Sequence, residues 1–271
     1  MAASSLKIGF MVSLRDYKSL SVPGADFSEL LLFEGDFRST GPMAMIEVLC
    51  AVRSPIQFVH TQEFVGFEGR EELVDLSADD EALRTLSVDV VRRTRDLATV
   101  LGGVAVVIHP GGIRPELGDH GPLLRRLEQS LDELGPAMLL LENMPWYYWL
   151  RKDQRMVSNL CVTMEDFDVL SDKVEGFTLD TCHGYLSRPE GDHGFCPEFM
   201  ERFGPRVKHV HASDATAPDT EGLQIGEGEF DFSFLKGIRV PVLVEIWKGH
   251  EDDGAGFKLG VERLRKLEQS W

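Results

Sequence analysis

The sequence predicts an α/β chain: a single (β/α)8 TIM barrel over residues 1–271, with a metal site at the C-terminal face of its strands. Three observations predict it. Eight short apolar runs recur along the chain, helical patterns lie between several of them, and the last six of the runs stop on a His, Asp or Glu. Parallel barrel strands are buried on both faces and so read as continuous apolar runs rather than alternating ones. The length of 271 residues suits one domain of this kind, for which roughly 250 is typical.

In order, the runs are 8–12, 29–33, 56–59, 104–108, 138–141, 176–179, 207–210 and 242–244. The clearest helical pattern covers 78–101, with Leu83, Leu86, Val90, Leu97 and Leu101 on one face. Ser77 and Asp80 read as its capping box, and Gly102–Gly103 as its stop. Thr163-Met-Glu-Asp166 opens another helix in the same way, before Phe167 and Leu170. The segments 64–77, 145–162, 184–197 and 212–231 follow strands and hold much of the Gly, Pro and aromatic content. Barrel active sites are built from such loops.

The residues that end the runs carry the chemistry. Glu142, Asp180, His211 and Glu245 follow the last four, and His60 and His109 follow the third and fourth. Successive spacings are 49, 33, 38, 31 and 34 residues, mostly about one strand-plus-helix unit. One carboxylate or imidazole per unit, delivered at the strand C-terminus, describes a metal site on the top of a barrel. A carboxylate placed directly after a buried run must find a cation, because its desolvation is costly. For Glu142 and Glu245 that cation is either a metal or a barrel-end Lys or Arg. His109 sits in His-Pro-Gly-Gly, where the glycines allow close backbone approach.

Composition narrows the partners. A formal charge of −17 favours small substrates over nucleic acid, whose affinity comes largely from Lys and Arg neutralising phosphates. The basic pairs Arg92–Arg93 and Arg125–Arg126 fall in helical patterns and read as solvated outer faces. No apolar run approaches the ~20 residues of a membrane span. The opening Met-Ala-Ala-Ser-Ser lacks signal-peptide features. Cys50, Cys161, Cys182 and Cys196 form no C-x-x-C pair and suit free thiols, so a cytoplasmic protein is expected.

Several motifs together resemble the xylose-isomerase-like barrel superfamily, which includes endonuclease IV and many sugar isomerases and epimerases. They are His109-Pro-Gly, Leu141-Glu142-Asn143, Leu179-Asp180-Thr-Cys-His183, His209-Val-His211-Ala-Ser-Asp214, Gly226-Glu227-Gly228 and Val244-Glu245. The resemblance implies one of two chemistries. In the isomerase and epimerase branch, Glu142, Asp180, His211 and Glu245 hold one divalent metal (Mn, Mg, Co or Zn). That metal would chelate a substrate carbonyl and neighbouring hydroxyl and stabilise an enediolate. Glu142 and Glu245 would remove and return the proton, and His183 would bond a substrate oxygen. In the endonuclease IV branch, His60, His109 and Glu142 hold one zinc and Glu142, Asp180, His211 and Glu245 a second, with Glu142 bridging. A third zinc there uses the position of His183 and a downstream Asp-x-His. This chain has Asp219-Thr-Glu221 instead, so the third-site histidine is missing and Glu221 is the oxygen-ligand candidate. The resemblance also implies association into homo-oligomers.

Other residues admit two readings. Trp146-Tyr147-Tyr148-Trp149 reads either as a wall that stacks on substrate, with Trp146 nearest Glu142, or as loop packing. Arg151 and Lys152 read as phosphate or carboxylate ligands or as solvated charges. Asp214 is a candidate substrate contact from its motif. Glu34 reads as a site-lining carboxylate or a partner of Arg38. Gly226-Glu227-Gly228 lacks the Lys-Ser or Lys-Thr of a phosphate loop. His120, His193 and His250 read as exposed loop histidines, and Cys182 as structural. The leading expectation is a metal-dependent isomerase or epimerase of a small carbohydrate-like compound. Against it stand a two-metal phosphodiester hydrolase and a non-catalytic metal-binding barrel.

Overall fold

The computed structural model describes residues 5–17, 20–39, 54–151 and 154–271. Cys50 and Lys152 lie outside the described residues, as do the first four residues and the side chain of Arg38. All eight apolar runs are strands: β1 (Ile8–Ser13), β2 (Phe27–Leu31), β3 (Ile56–His60), β4 (Ala105–Ile108), β5 (Leu139–Glu142), β6 (Gly176–Asp180), β7 (Val207–Ala212) and β8 (Val242–Val244). Each lies parallel beside its neighbours in sequence, and β1 closes the barrel on β8 through Ile8 opposite Val242. The chain therefore forms a (β/α)8 TIM barrel.

The continuous apolar runs conceal a division that the two-residue period of a strand imposes. Ile8, Val59, Val106, Leu139, Leu141, Leu179, Val210 and Val244 belong to the large outer core shared with the helices. Their alternates Phe27, Phe58, Leu140 and Leu243 form a separate cluster, which is the floor of the barrel interior. Two residues further along the same faces of three of these strands lie His60, Glu142 and Glu245. The site is thus the next interior layer above an apolar floor. Gly9 makes room for that floor, since a Cβ there would lie 2.4 Å from the Phe27 ring.

The helix expected over 78–101 runs Glu81–Val100, capped by Asp80 alone, whose side chain accepts from the Ala82 and Leu83 amides. Ser77 is no part of a capping box: its hydroxyl donates to Asp75 at 2.8 Å. The buried stripe is rotated from the expected one and centres on Val88, Val91, Thr94 and Ala98. Leu83 and Leu86 are only partly buried and cover Val65 and Val74 of a neighbouring hairpin. Thr163 precedes the helix Met164–Leu170 but makes no side-chain cap bond. Asp166, its expected box partner, instead accepts from the Cys161 amide and from His120, both at 2.7 Å.

Three of the four long segments after the strands, 64–77, 145–162 and 212–231, contain β structure, which their composition did not reveal, whereas 184–197 links two short helices. Phe64–Phe67 pairs with Arg70–Leu73, and Asp214–Thr216 with Thr220–Leu223. Tyr147–Arg151 pairs with Gln154–Ser158, which also pairs with Ile113–Arg114. These hairpins wall the C-terminal face. No helix among the described residues is long and apolar enough to cross a membrane.

Candidate metal centre

Six ligand-type side chains meet at the C-terminal ends of six strands. Among the described residues, one set of ligand atoms within 4.8 Å of one another comes from His60, His109 and Glu142, and another from Glu142, Asp180, His211 and Glu245. Glu142 belongs to both. Its Oε2 lies 3.5 Å from His60 Nε2 and 3.6 Å from His109 Nε2, and its Oε1 lies 3.6 Å from His211 Nδ1. Its ion-pair partners among the described residues are all imidazoles, so a barrel-end Lys or Arg is not the cation the fold provides.

The donors are aimed by their surroundings. His60 Nδ1 donates to the Thr61 carbonyl at 2.8 Å, which turns Nε2 to the centre. His183 Nδ1 donates to the Asn143 carbonyl at 2.9 Å. The Asn143 side chain spans two strand ends: Nδ2 donates to the Asp180 carbonyl and Oδ1 accepts the Asp180 amide. Asp75 organises the loop behind His109, accepting from the Gly112 amide at 3.0 Å and from Arg114 at 2.7 Å. Gly111 is at φ +80° and a Cβ there would lie 2.0 Å from Asp75 Oδ1, so this loop requires glycine.

Charge in the centre is unbalanced toward anions. Burial alone would raise the Glu142 carboxyl, but His211, His109 and His183 hold it well below its ordinary range. Burial works against the imidazolium form of His60, yet Glu142 raises its pKa to about 9. His211 is likewise pushed well above its ordinary value, by Glu245, Glu29 and Glu142 against its burial. Burial, with help from Glu245 and Glu142, raises Asp180 to about 7. Protons occupy the places a divalent cation would take.

The donor set fits such a cation. Glu142 Oε2 and His211 Nδ1 are buried and make no hydrogen bond, although His211 Nδ1 is only 2.7 Å from Glu245 Oε2. Buried polar atoms that converge without bonding one another are what a missing shared partner leaves. Carboxylates with imidazoles suit zinc, manganese or cobalt.

The other expected contacts divide. His183 borders the cleft above the centre, with Nε2 3.8 Å from Glu221 Oε2. Burial raises Glu221 to about 7 against the pull of His183. Asp219 faces away: its carboxylate accepts from Arg155 and its carbonyl accepts from Trp149 Nε1, each at 3.0 Å. Asp214 is fully buried, its oxygens accepting the amides of Ala215, Gly226, Gly228 and Phe230. That corrects its expected role, since it pins the Gly-Glu-Gly loop and has no oxygen left to offer a substrate. Trp146 is also corrected: it packs on the outer core, while the extended segment that follows carries Tyr148 and Trp149 to the cleft. Arg151 ends its strand opposite Gln154, with its side chain outside the described residues.

Sequence reasoning missed Glu63, Trp247 and the pair Glu29 and His209 beneath the centre. The first two lie on irregular rim segments with no periodic signal. Glu29 did leave a signal, a carboxylate among apolar residues. The strand begins two residues before the apolar run 29–33, at Phe27, and so carries Glu29 in its middle. His120 is half exposed and paired with Asp166, and Cys161, Cys182 and Cys196 are free and buried.

This barrel belongs to a recognised class. The family model for the xylose isomerase-like TIM barrel matches residues 51–267, and the chain belongs to that family. Among its relatives is "Probable endonuclease 4" of Mycobacterium leprae (strain Br4923), 25% identical over 258 residues that cover 91% of this chain and 95% of the relative. Among solved structures, a D-tagatose 3-epimerase-like protein superposes with a TM-score of 0.67 at 22% identity, covering 98% of this chain and 99% of that one. Endonuclease IV from Thermus thermophilus superposes with a TM-score of 0.60 at 21% identity, covering 96% and 99%. Enzymes of both chemistries thus share this fold.

Proposed function

We propose that the chain is a divalent-metal-dependent isomerase or epimerase of a small, uncharged polyhydroxy carbonyl compound. The observation that carries this is the cleft above the centre. Beyond the ligand-type residues it is lined by Glu63, Glu221, Tyr148, Trp149 and Trp247, with no Lys or Arg among the described lining residues. Carboxylates and aromatic faces suit hydroxyls and the C–H faces of a sugar, and they repel a phosphate.

Glu142, Asp180, His211 and Glu245 would hold the metal. When bound, a divalent cation supplies Lewis acidity that favours proton loss next to a carbonyl. Glu245, with about a quarter of its side chain exposed at the cleft, is placed to take the proton, whereas Glu142 is buried to 1%. His183 is fixed by Asn143 with Nε2 directed toward Glu221, where it can bond a substrate oxygen. Trp149, held by its bond to the Asp219 carbonyl, lines the cleft, where it would limit water beside a bound substrate. The test is solvent deuterium exchange at the carbon beside the carbonyl, across a panel of ketoses and cyclic ketones. Exchange that disappears in Glu245→Gln is expected; no exchange with any member would sink the reading.

A second reading has its own support. The shared Glu142 and the set His60, His109 and Glu142 are the arrangement a two-metal phosphodiester hydrolase would need. Cleavage of an abasic-site duplex with zinc or manganese, lost in His109→Ala, would put this reading first.

A further inference from the structure

Below the centre, inside the barrel, lies a group of three residues that the chemistry above does not use as a unit. Glu29 of β2 is fully buried and reaches across the interior to β7. Its Oε2 accepts from His209 Nε2 at 2.7 Å and from His211 Nε2 at 3.4 Å. His209 is equally buried, with Phe58 stacked on it at 3.8 Å and 11° and Phe27 at its edge. Its Nδ1 faces the Pro241 carbonyl at 3.3 Å.

We infer that Glu29 is a positioning residue which fixes His211 as an Nδ1 metal ligand, and that His209 fixes Glu29. This rests on the reading of Glu142, Asp180, His211 and Glu245 as a metal site. The two nitrogens of His211 face opposite layers: Nδ1 is toward Glu245 and Glu142, and Nε2 is toward Glu29. A carboxylate can only accept, so Glu29 selects the tautomer that carries hydrogen on Nε2 and leaves the Nδ1 lone pair for the cation. Its negative charge also makes that lone pair more basic. Glu29 needs a firm donor of its own, and His209 supplies the shorter of its two bonds. Phe58 and Phe27, members of the apolar floor, hold the His209 ring in plane and keep water away.

The same three residues place ligand atoms within 4.8 Å of one another, which is also the make-up of a metal site. The 2.7 Å contact is instead a formed hydrogen bond, and all three side chains are sealed from solvent.

The test is cobalt(II) titration of the metal-free protein, followed by its visible absorption, beside thermal unfolding of each metal-free variant. In Glu29→Gln the amide can present its NH2 to Nε2 and drive the hydrogen onto Nδ1. Cobalt affinity is expected to fall by about 10- to 100-fold with an altered absorption band. His209→Gln keeps a donor to Glu29 in place of the ring and is expected to lose less, as is Glu29→Asp, which keeps the charge. Folded variants that bind cobalt with wild-type affinity and spectrum would overturn the inference even if less thermostable. Failure of the wild-type protein to bind cobalt would instead overturn the metal site beneath it.

Discussion

Glu142 is the residue on which both ligand sets depend, with one oxygen turned to each. Glu142→Gln removes the charge and half of the acceptor capacity at once. Metal affinity is expected to fall by more than about 100-fold, measured by elemental analysis after equilibrium dialysis. Retention of stoichiometric metal would disprove the assignment. Protons and metal compete for the same atoms. His60 releases its proton only as pH approaches about 9, and His211 is held well above its ordinary value. Metal binding below that pH must therefore displace protons, and affinity should rise with pH by about tenfold per unit for each proton displaced. Binding in weak buffer with a pH indicator reports this directly; an affinity flat from about pH 6 to 9 would contradict it.

At the scale of elements, layers are matched by single residues. Gly9 on β1 is there because Phe27 fills the space its Cβ would need. Gly9→Ala is expected to cost about 1–3 kcal/mol by overpacking, and Phe27→Leu should recover part of it. A loss in the double variant equal to the sum of the two single losses by urea unfolding would show that the two are not coupled. The hairpin Asp214–Thr216 with Thr220–Leu223 depends on Asp214, which gathers four backbone amides. Asp214→Ala strands those donors and should destabilise by about 3 kcal/mol or more. It should also displace Glu221, and with it the upper wall of the cleft. Unchanged stability would mean that water replaces the carboxylate there.

The whole molecule folds around an interior that is electrostatically incomplete. His60 has a folded pKa raised above its ordinary value, so its contribution is fully present below about 6.5 and is lost as pH rises through about 9. Asp180 and Glu221, both raised to about 7, lose theirs as pH rises through that value. The chelated protein should accordingly melt at lower temperature at about pH 9 than at about pH 6. Metal at one fixed concentration, set to about 100 times its dissociation constant at about pH 6, adds about 2.7 kcal/mol there and more at about pH 9, where it binds more tightly, and should reverse the trend. Scanning calorimetry of chelated and metal-loaded protein across this range is the check; parallel curves would exclude a metal held by these groups.

The sequence by itself determined the barrel and where its ligand-type residues stand, because strand, helix and strand end each leave a local mark. Eight apolar runs became eight strands, and Glu142, Asp180, His211, Glu245, His60 and His109 stand at the ends where their spacing put them. Asp75 showed only as a polar letter in a loop, Asn143 and Asp214 stood in motifs that did not reveal which backbone groups they bond, and Trp146 read as a stacking wall rather than as part of the outer core. Asp75 and Asn143 each bond a segment 37 residues away. Only the tertiary structure decided that Glu29 and His209, 180 residues apart, share a hydrogen bond. It also decided that the cleft wall is acidic and aromatic. The reason is closure: bending the sheet until β1 meets β8 turns alternate side chains of every strand toward one axis. Which residues then face each other depends on register across the barrel, a relation no local stretch of sequence contains.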